Sequence, residues 1–156
     1  MRALLFDLEH PDGPRRWAIA ATDLVAVLPV VAWRPIPGGP PGAIGVFQRQ
    51  GTLVPLVDLA VRLGGPPART LLGSRIALVR AEPANPASPL VGFLLERTGE
   101  MVEIDFADPS GHPGFDPHGD QGFGPVVVHG GRSVQLLRLD RFFDEATRLH
   151  LTGIAP

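Results

Sequence analysis

Few side chains in this sequence could do chemistry, and they are scattered. His112, Asp116 and His118 fall close together, and two imidazoles with a carboxylate could ligate a divalent metal. One reading is therefore a metal-dependent or acid–base enzyme built on the 112–118 loop. The plainer reading is a solvated loop, because the three residues lie in a Pro- and Gly-rich stretch with no regular element to fix their geometry. Glu96, Glu100, Glu103 and Asp105 could supply paired carboxylates, but they read more simply as a solvated rim around strand ends. Ser74, Ser88, Ser110 and Ser133 are the serines, and none occupies a G-x-S-x-G elbow. The sequence has no Cys and no Tyr, and all 14 of its basic residues are Arg. Thiolate chemistry, disulfides and Cys-based zinc sites are thereby excluded. A phosphate-binding Walker loop lacks its Lys, and no G-x-G-x-x-G opens a helix. These observations point to a binding protein with no cofactor and no catalytic residue.

The elements that would carry such a surface are mostly short strands. Leu4, Phe6 and Leu8 alternate with Ala3, Leu5 and Asp7, a period of two that predicts a strand from the outset. His10–Pro14 reads as a turn and 17–21 as the returning strand. Thr22 and Asp23 are N-cap residue types, so 24–28 is expected to be a short helix closed by Pro29. Two apolar runs, 43–47 and 52–57, suggest a hairpin with a four-residue loop at 48–51. Pro55 has no N–H for a ladder, which predicts an edge or a bulge there. Asp58 can cap a helical turn running to Leu63, stopped by Gly64-Gly65-Pro66-Pro67. Further strands are expected at 75–80, 90–95, 101–104, 126–128 and 133–139. Gly130-Gly131 suits the positive φ of a tight hairpin turn between the last two. Residues 105–125 read as a long loop. Asp140 is expected to cap a helix over 141–151, with Phe142, Phe143, Ala146 and Leu149 at helical spacing.

No strand–helix–strand rhythm runs through the chain, which disfavours a parallel α/β sheet and favours an all-β architecture of barrels or a sandwich. The 156 residues fit one domain or two small intimate subdomains, and 44% of them are apolar. Gly (19) and Pro (18) are abundant, but dense Val/Leu/Ile runs between them argue for turns and not for disorder. A net charge of −2 argues against nucleic acid as a partner. The apolar start meets Asp7 too soon for a signal peptide, and no stretch reaches the ~20 apolar residues of a membrane helix. The expected location is the cytoplasm, without membrane insertion.

Residues 45–64, GVFQRQGTLVPLVDLAVRLG, resemble the G-V-x-N-x-R-G-x-x-x-P-V-x-D-L-x-x-x-L-G stretch of the CheW family of chemotaxis adaptors. Gly45, Val46, Gly51, Pro55, Val57, Asp58, Leu59, Leu63 and Gly64 carry the likeness. Leu24–Pro29 with Ile36-Pro37-Gly38 is similar to the family's V-x-E-V…I-P-G segment. Val91–Glu96 is similar to its V-G-L-x-V-D strand, and 124–143 to its closing block. The resemblance implies two five-stranded SH3-like β-barrels sharing an apolar seam. A first barrel would span roughly 1–65 plus a C-terminal helix at 140–152, and a second roughly 74–139. It implies a non-catalytic adaptor joining the cytoplasmic helical tip of a chemoreceptor to the regulatory domain of a CheA-type histidine kinase. By position, the implied receptor- and kinase-binding residues are Leu24, Ala26, Gly45, Gln50, Gly51, Gly92, Leu95 and Thr98. The glycines would let a partner's backbone approach, or else serve turns and bulges. Many family members carry Glu where Ala26 stands and Arg where Gln50 stands, a pair that could frame the groove. Its loss points to an accessory pathway of surface sensing, cyclic-di-GMP or motility control. GVFxxxG and GPVVVHGGRSVQ resemble the surface-sensing, Wsp-type branch.

Overall fold

The structure, a computed structural model, is described here for residues 1–142. Eleven strands form two sheets among these residues: β1 (Arg2–His10), β2 (Gly13–Ala20), β3 (Ala26–Pro29), β4 (Arg34–Pro35), β5 (Ala43–Arg49), β6 (Thr52–Asp58), β7 (Arg75–Arg80), β8 (Leu90–Leu95), β9 (Arg97–Glu103), β10 (Phe123–His129) and β11 (Arg132–Leu137). A single α-helical turn, α1 (Leu59–Arg62), follows β6. The five-stranded sheet runs β10-β11-β2-β1-β9, and the six-stranded sheet runs β3-β7-β8-β6-β5-β4. The mostly-β architecture of two units is the one observed, as two sheets, the second with six strands where the resemblance implied five.

Alternation along the strands builds three packed layers. Leu4, Phe6 and Leu8 of β1, with Trp17 and Ile19 of β2, face Val79, Val91, Phe93 and Leu95 across a seam between the sheets. Ala3, Leu5 and Ala18 point the other way, into a cluster with Phe106, Val127, Val134 and Leu136 inside the five-stranded sheet. Phe47, Val54, Leu56, Ile76, Leu78 and Leu94 fill the six-stranded sheet. Strands buried on both faces need apolar residues at both parities, and β8 (LVGFLL) meets that requirement.

The chain does not divide sequentially between the sheets. The hairpin β1–β2 pairs with β9 and β11, so residues 1–20 share a sheet with 97–137 and not with β3–β6. The physical reason is the parallel ladder of β2 with β11, Arg16–Ile19 beside Val134–Leu137. Parallel pairing needs a long connection, here everything between the two strands.

Three local expectations are corrected. Residues 24–28 are not helical: a 3-10 turn occupies Ala21–Asp23, and Ala26–Pro29 then pairs with β7. The β5–β6 loop has two residues and not four, because Arg49 pairs with Thr52 and leaves Gln50 (φ 50°) and Gly51 (φ 78°) as the turn. Two positive φ values give the twist that a two-residue hairpin needs. Strand β6 is interior to its sheet, yet its ladder with β8 begins only at Leu56, one residue after Pro55. Pro55 is therefore paired on one side alone, opposite Val46, and a bulge lies nearby in β5.

Other readings stand. Asp58 caps α1, accepting the Val61 N–H at 3.4 Å. Gly130 and Gly131, at φ 59° and 79°, make the β10–β11 turn. The long segment after β9 is tied down at several points: Ile104 and Phe106 enter the core, His112 and Val126 exchange both backbone hydrogen bonds at 2.8 Å, and the Gly122 carbonyl accepts the Arg138 N–H at 2.8 Å. Asp140, expected to cap a helix over 141–151, lies instead inside a 3-10 turn, Leu139–Arg141, and the rest of that helix lies outside the described residues. Phe142 reaches the seam and stacks edge-on against Phe123 at 5.3 Å.

Candidate functional site

The proposed metal loop does not assemble a ligand set. His112 spends Nδ1 on the Gly114 N–H at 2.9 Å. The Asp116 carboxylate accepts the backbone N–H groups of Asp120, Gln121 and Phe123, so it staples its own loop. Among the described residues no group of three His, Cys, Asp or Glu is placed to hold a metal ion.

The eight implied binding residues separate by burial. Gly45, Gly92 and Leu95 are internal. A Cβ on Gly45 would collide with the Arg34 carbonyl oxygen, so this glycine admits the chain's own strand β4. A Cβ on Gly92 would lie 2.8 Å from the Phe47 ring and 3.0 Å from Ile76. Both glycines thus make room for the chain's own packing. Leu95 is fully buried in the seam.

Gln50 and Gly51 are exposed at the hairpin tip. Leu24 packs on the seam, and Ala26 packs on the core of the six-stranded sheet. Their neighbours Val25 and Val27 point outward and are 44% and 39% exposed. The outward row on edge strand β3 is therefore displaced by one residue from the row implied by position. In a strand, one residue is the difference between the two faces. Val31 and Ile36 add exposed apolar surface beyond β3, and Leu53 stands beside the 50–51 turn. These residues were missed, although the alternation Leu24/Val25/Ala26/Val27 was visible as a period of two. The sheet order sets β7, β8 and β6 between Ala26 on β3 and the strand β5 that leads to Gln50.

Thr98 lies on β9, an edge strand paired only with β1 in the sheet order. Its N–H donates to the Gly73 carbonyl at 3.0 Å, and its Oγ1 is buried without a hydrogen-bond partner. Gly73 belongs to residues 66–73, the strap that joins α1 to β7. Buried polar groups fasten this strap along its length. Asp58 accepts the Ala68 N–H at 2.8 Å, Glu96 accepts the Arg69 N–H at 2.7 Å, and Ser74 Oγ accepts the Leu71 N–H at 2.8 Å. Glu96 is 2% exposed, which corrects its reading as a solvated rim. Burial pushes its carboxyl up, but the Arg69 N–H and the Arg69 guanidinium outweigh that, and the net shift is below the ordinary value. Asp58 goes the other way. Its burial outweighs the N–H donors from Ala68, Val61 and Ala60, and nearby Glu96 adds to the rise. The site signal for both acids was their place at the ends of apolar runs, where a carboxylate can reach the backbone that leaves the strand.

Two β-sheets joined by a fastened strap present exposed apolar side chains at β3 and beside the 50–51 turn, and the described residues assemble no metal-ligand cluster. The CheW-like domain family model matches residues 3–147, and the chain belongs to that family, whose members are non-catalytic scaffolds of chemotaxis signalling. The chain is 25% identical over 130 residues to Chemotaxis protein CheW of Rhizobium meliloti (strain 1021), covering 81% of each protein. Its fold matches the crystal structure of the scaffolding protein TtCheW from Thermoanaerobacter tengcongensis with a TM-score of 0.70, over 92% of this chain and 89% of that one, at 17% identity.

Proposed function

We propose that this protein couples a methyl-accepting chemoreceptor to a CheA-type histidine kinase in the cytoplasm, binding the receptor's helical tip and the kinase's regulatory domain. The observation that carries this reading is the outward apolar pair Val25 and Val27, just before and within edge strand β3, in a chain of the CheW-like family. Apolar side chains on an open edge suit a partner that supplies an amphipathic helix or a strand. Among the described residues, no helix is long and apolar enough to cross a membrane. Ala26 and Gln50 carry no charge, so the framing Glu–Arg pair of many relatives is absent as a pair. Losing both charges leaves no unpaired one behind. This favours an accessory system of surface sensing, cyclic-di-GMP or motility control, and GVFxxxG and GPVVVHGGRSVQ resemble the Wsp-type branch.

The test is a calorimetric titration with the regulatory domain of a CheA-type kinase from the same genome. Saturable binding near one-to-one is expected. Absence of binding to every such domain in that genome would overturn the coupling role.

A further inference from the structure

The strap between α1 and β7 presents Leu72 with its side chain 98% exposed. An exposed Leu on a mobile loop would mean little. This one stands on backbone that is held on both sides. Leu71 N–H is bound by Ser74, the Leu72 carbonyl accepts from the Arg75 guanidinium at 2.9 Å, and the Gly73 carbonyl accepts from Thr98. Ordering cost for such a knob is already met in the free protein, which is what favours a contact residue.

The surroundings are cationic. Arg69 and Arg97 both approach the Glu96 carboxylate, at 3.3 and 4.0 Å, with their side chains 56% and 52% exposed. Arg75, held on the Leu72 and Ser74 carbonyls, adds a third guanidinium, against the buried Glu96 carboxylate and the Glu9 charge that Arg69 feels. Glu96 is already engaged by the strap backbone, so the outward face of this patch is positive. The patch adjoins the proposed receptor site through Arg75, which pairs with Pro29 at the end of β3, two residues from Val27.

We infer that Leu72, rimmed by Arg69, Arg75 and Arg97, is a docking knob for an amphipathic helix of the chemoreceptor tip whose apolar stripe is flanked by carboxylates. A single apolar side chain seats in the hole formed by four residues of a facing helix, and guanidinium groups beside it meet acidic positions on that helix. The inference rests on the coupling reading and adds to it a residue that sets which receptor helix fits.

The experiment uses the full chain, a recombinant cytoplasmic hairpin of a chemoreceptor from the same genome, and the kinase regulatory domain as a second probe. Leu72→Ser is expected to leave the melting temperature unchanged, because the side chain is nearly fully exposed. It should weaken hairpin binding by at least about tenfold, the equivalent of one leucine's burial, and leave kinase binding intact. Arg97→Ser should slow association with the hairpin and flatten its dependence on salt between low and high ionic strength. Val128→Ser, at another exposed apolar position on β10, should change neither. Hairpin affinity unchanged by Leu72→Ser would overturn the knob while leaving coupling intact. Loss of kinase binding in place of hairpin binding would assign the knob to the kinase and also overturn the inference. A wild-type chain that binds the kinase domain but no receptor hairpin overturns it too, and one that binds neither ends the coupling reading with it.

Discussion

Glu96 should be worth more to the fold than the arginine it faces. In the folded chain its carboxylate takes the Arg69 N–H at 2.7 Å and the Arg69 guanidinium at 3.3 Å, from a position that is 2% exposed. Glu96→Ala removes the acceptor and strands that backbone N–H in a part-buried site. One orphaned donor costs about 1–3 kcal/mol, or roughly 2–12 °C in Tm for a domain of this size. Arg69→Ala removes only the guanidinium, whose side chain is more than half exposed, and water screens such a pair. Its Tm shift should be less than half that of Glu96→Ala. Glu96→Gln keeps one carbonyl oxygen for the N–H and should fall between them. The pH dependence has a definite sign. The Glu96 carboxyl is held below its ordinary value of 4.5, so its charge stabilises the fold above that pH and the contribution fades as pH falls through the lowered value. The gap between wild type and Glu96→Ala in urea melts should be full at pH 7 and narrow below about pH 4.5. Equal losses for Arg69→Ala and Glu96→Ala would refute the argument, because the exposed ion pair would then be the fastening and not the backbone bond.

Four further outcomes can be checked. Carbon-detected NMR titration should find the Asp58 carboxyl above 3.8 and that of Glu96 below 4.5; the raised value means that Asp58 contributes stability that is fully present below 3.8 and lost as pH rises through its folded value. Gly92→Ala, which drives a methyl against Phe47 and Ile76, should cost about 1–3 kcal/mol in the urea midpoint, whereas Gly45→Ala collides with β4 backbone and should abolish amide protection at Ile36, whose N–H donates to Ile44. Gln50→Gly should raise stability by up to about 1 kcal/mol, since Gln50 holds φ at 50° where an L side chain is strained. Ala26→Glu with Gln50→Arg should fold normally and shift receptor preference toward the main chemotaxis system; if the two single variants and the double variant couple equally, the positions do not interact.

Strands with uninterrupted apolar runs were legible residue for residue. Arg75–Arg80 and Leu90–Leu95 are β7 and β8 as the sequence reads them, because burial on both faces leaves no other use for such runs. Residues 24–28 misled for a local reason. Thr22 and Asp23 lie in a helical turn, but it is a 3-10 turn that ends at Asp23, and pairing with β7 then outweighs helix propensity. Gly45 and Gly92 could be singled out, but their purpose could not. What a glycine makes room for lies far off in sequence, Phe47 and Ile76 for one and Arg34 for the other. The strap was the largest omission. Its fastenings join Asp58 to Ala68 and Glu96 to Arg69, and only the second spans the distance between two sheet-forming blocks. No local pattern marks a carboxylate that folds back on a backbone N–H.

The parallel ladder between β2 and β11 also sets an order of assembly. The six-stranded sheet draws only on residues 26–95 and can close as soon as β8 has left the ribosome. The hairpin β1–β2 is made first, yet its partner β11 ends at Leu137. From the end of β8 to the end of β11 the ribosome, at about 5–20 residues per second, needs on the order of 2–8 s. During that time the seam face of the hairpin, Leu4, Phe6, Leu8, Trp17 and Ile19, has the finished sheet to lean on, while its other face, Ala3, Leu5 and Ala18, has nothing. The small residues Ala3 and Ala18 sit on the face that waits, which keeps the sticky surface of the nascent chain low until its closing strand arrives.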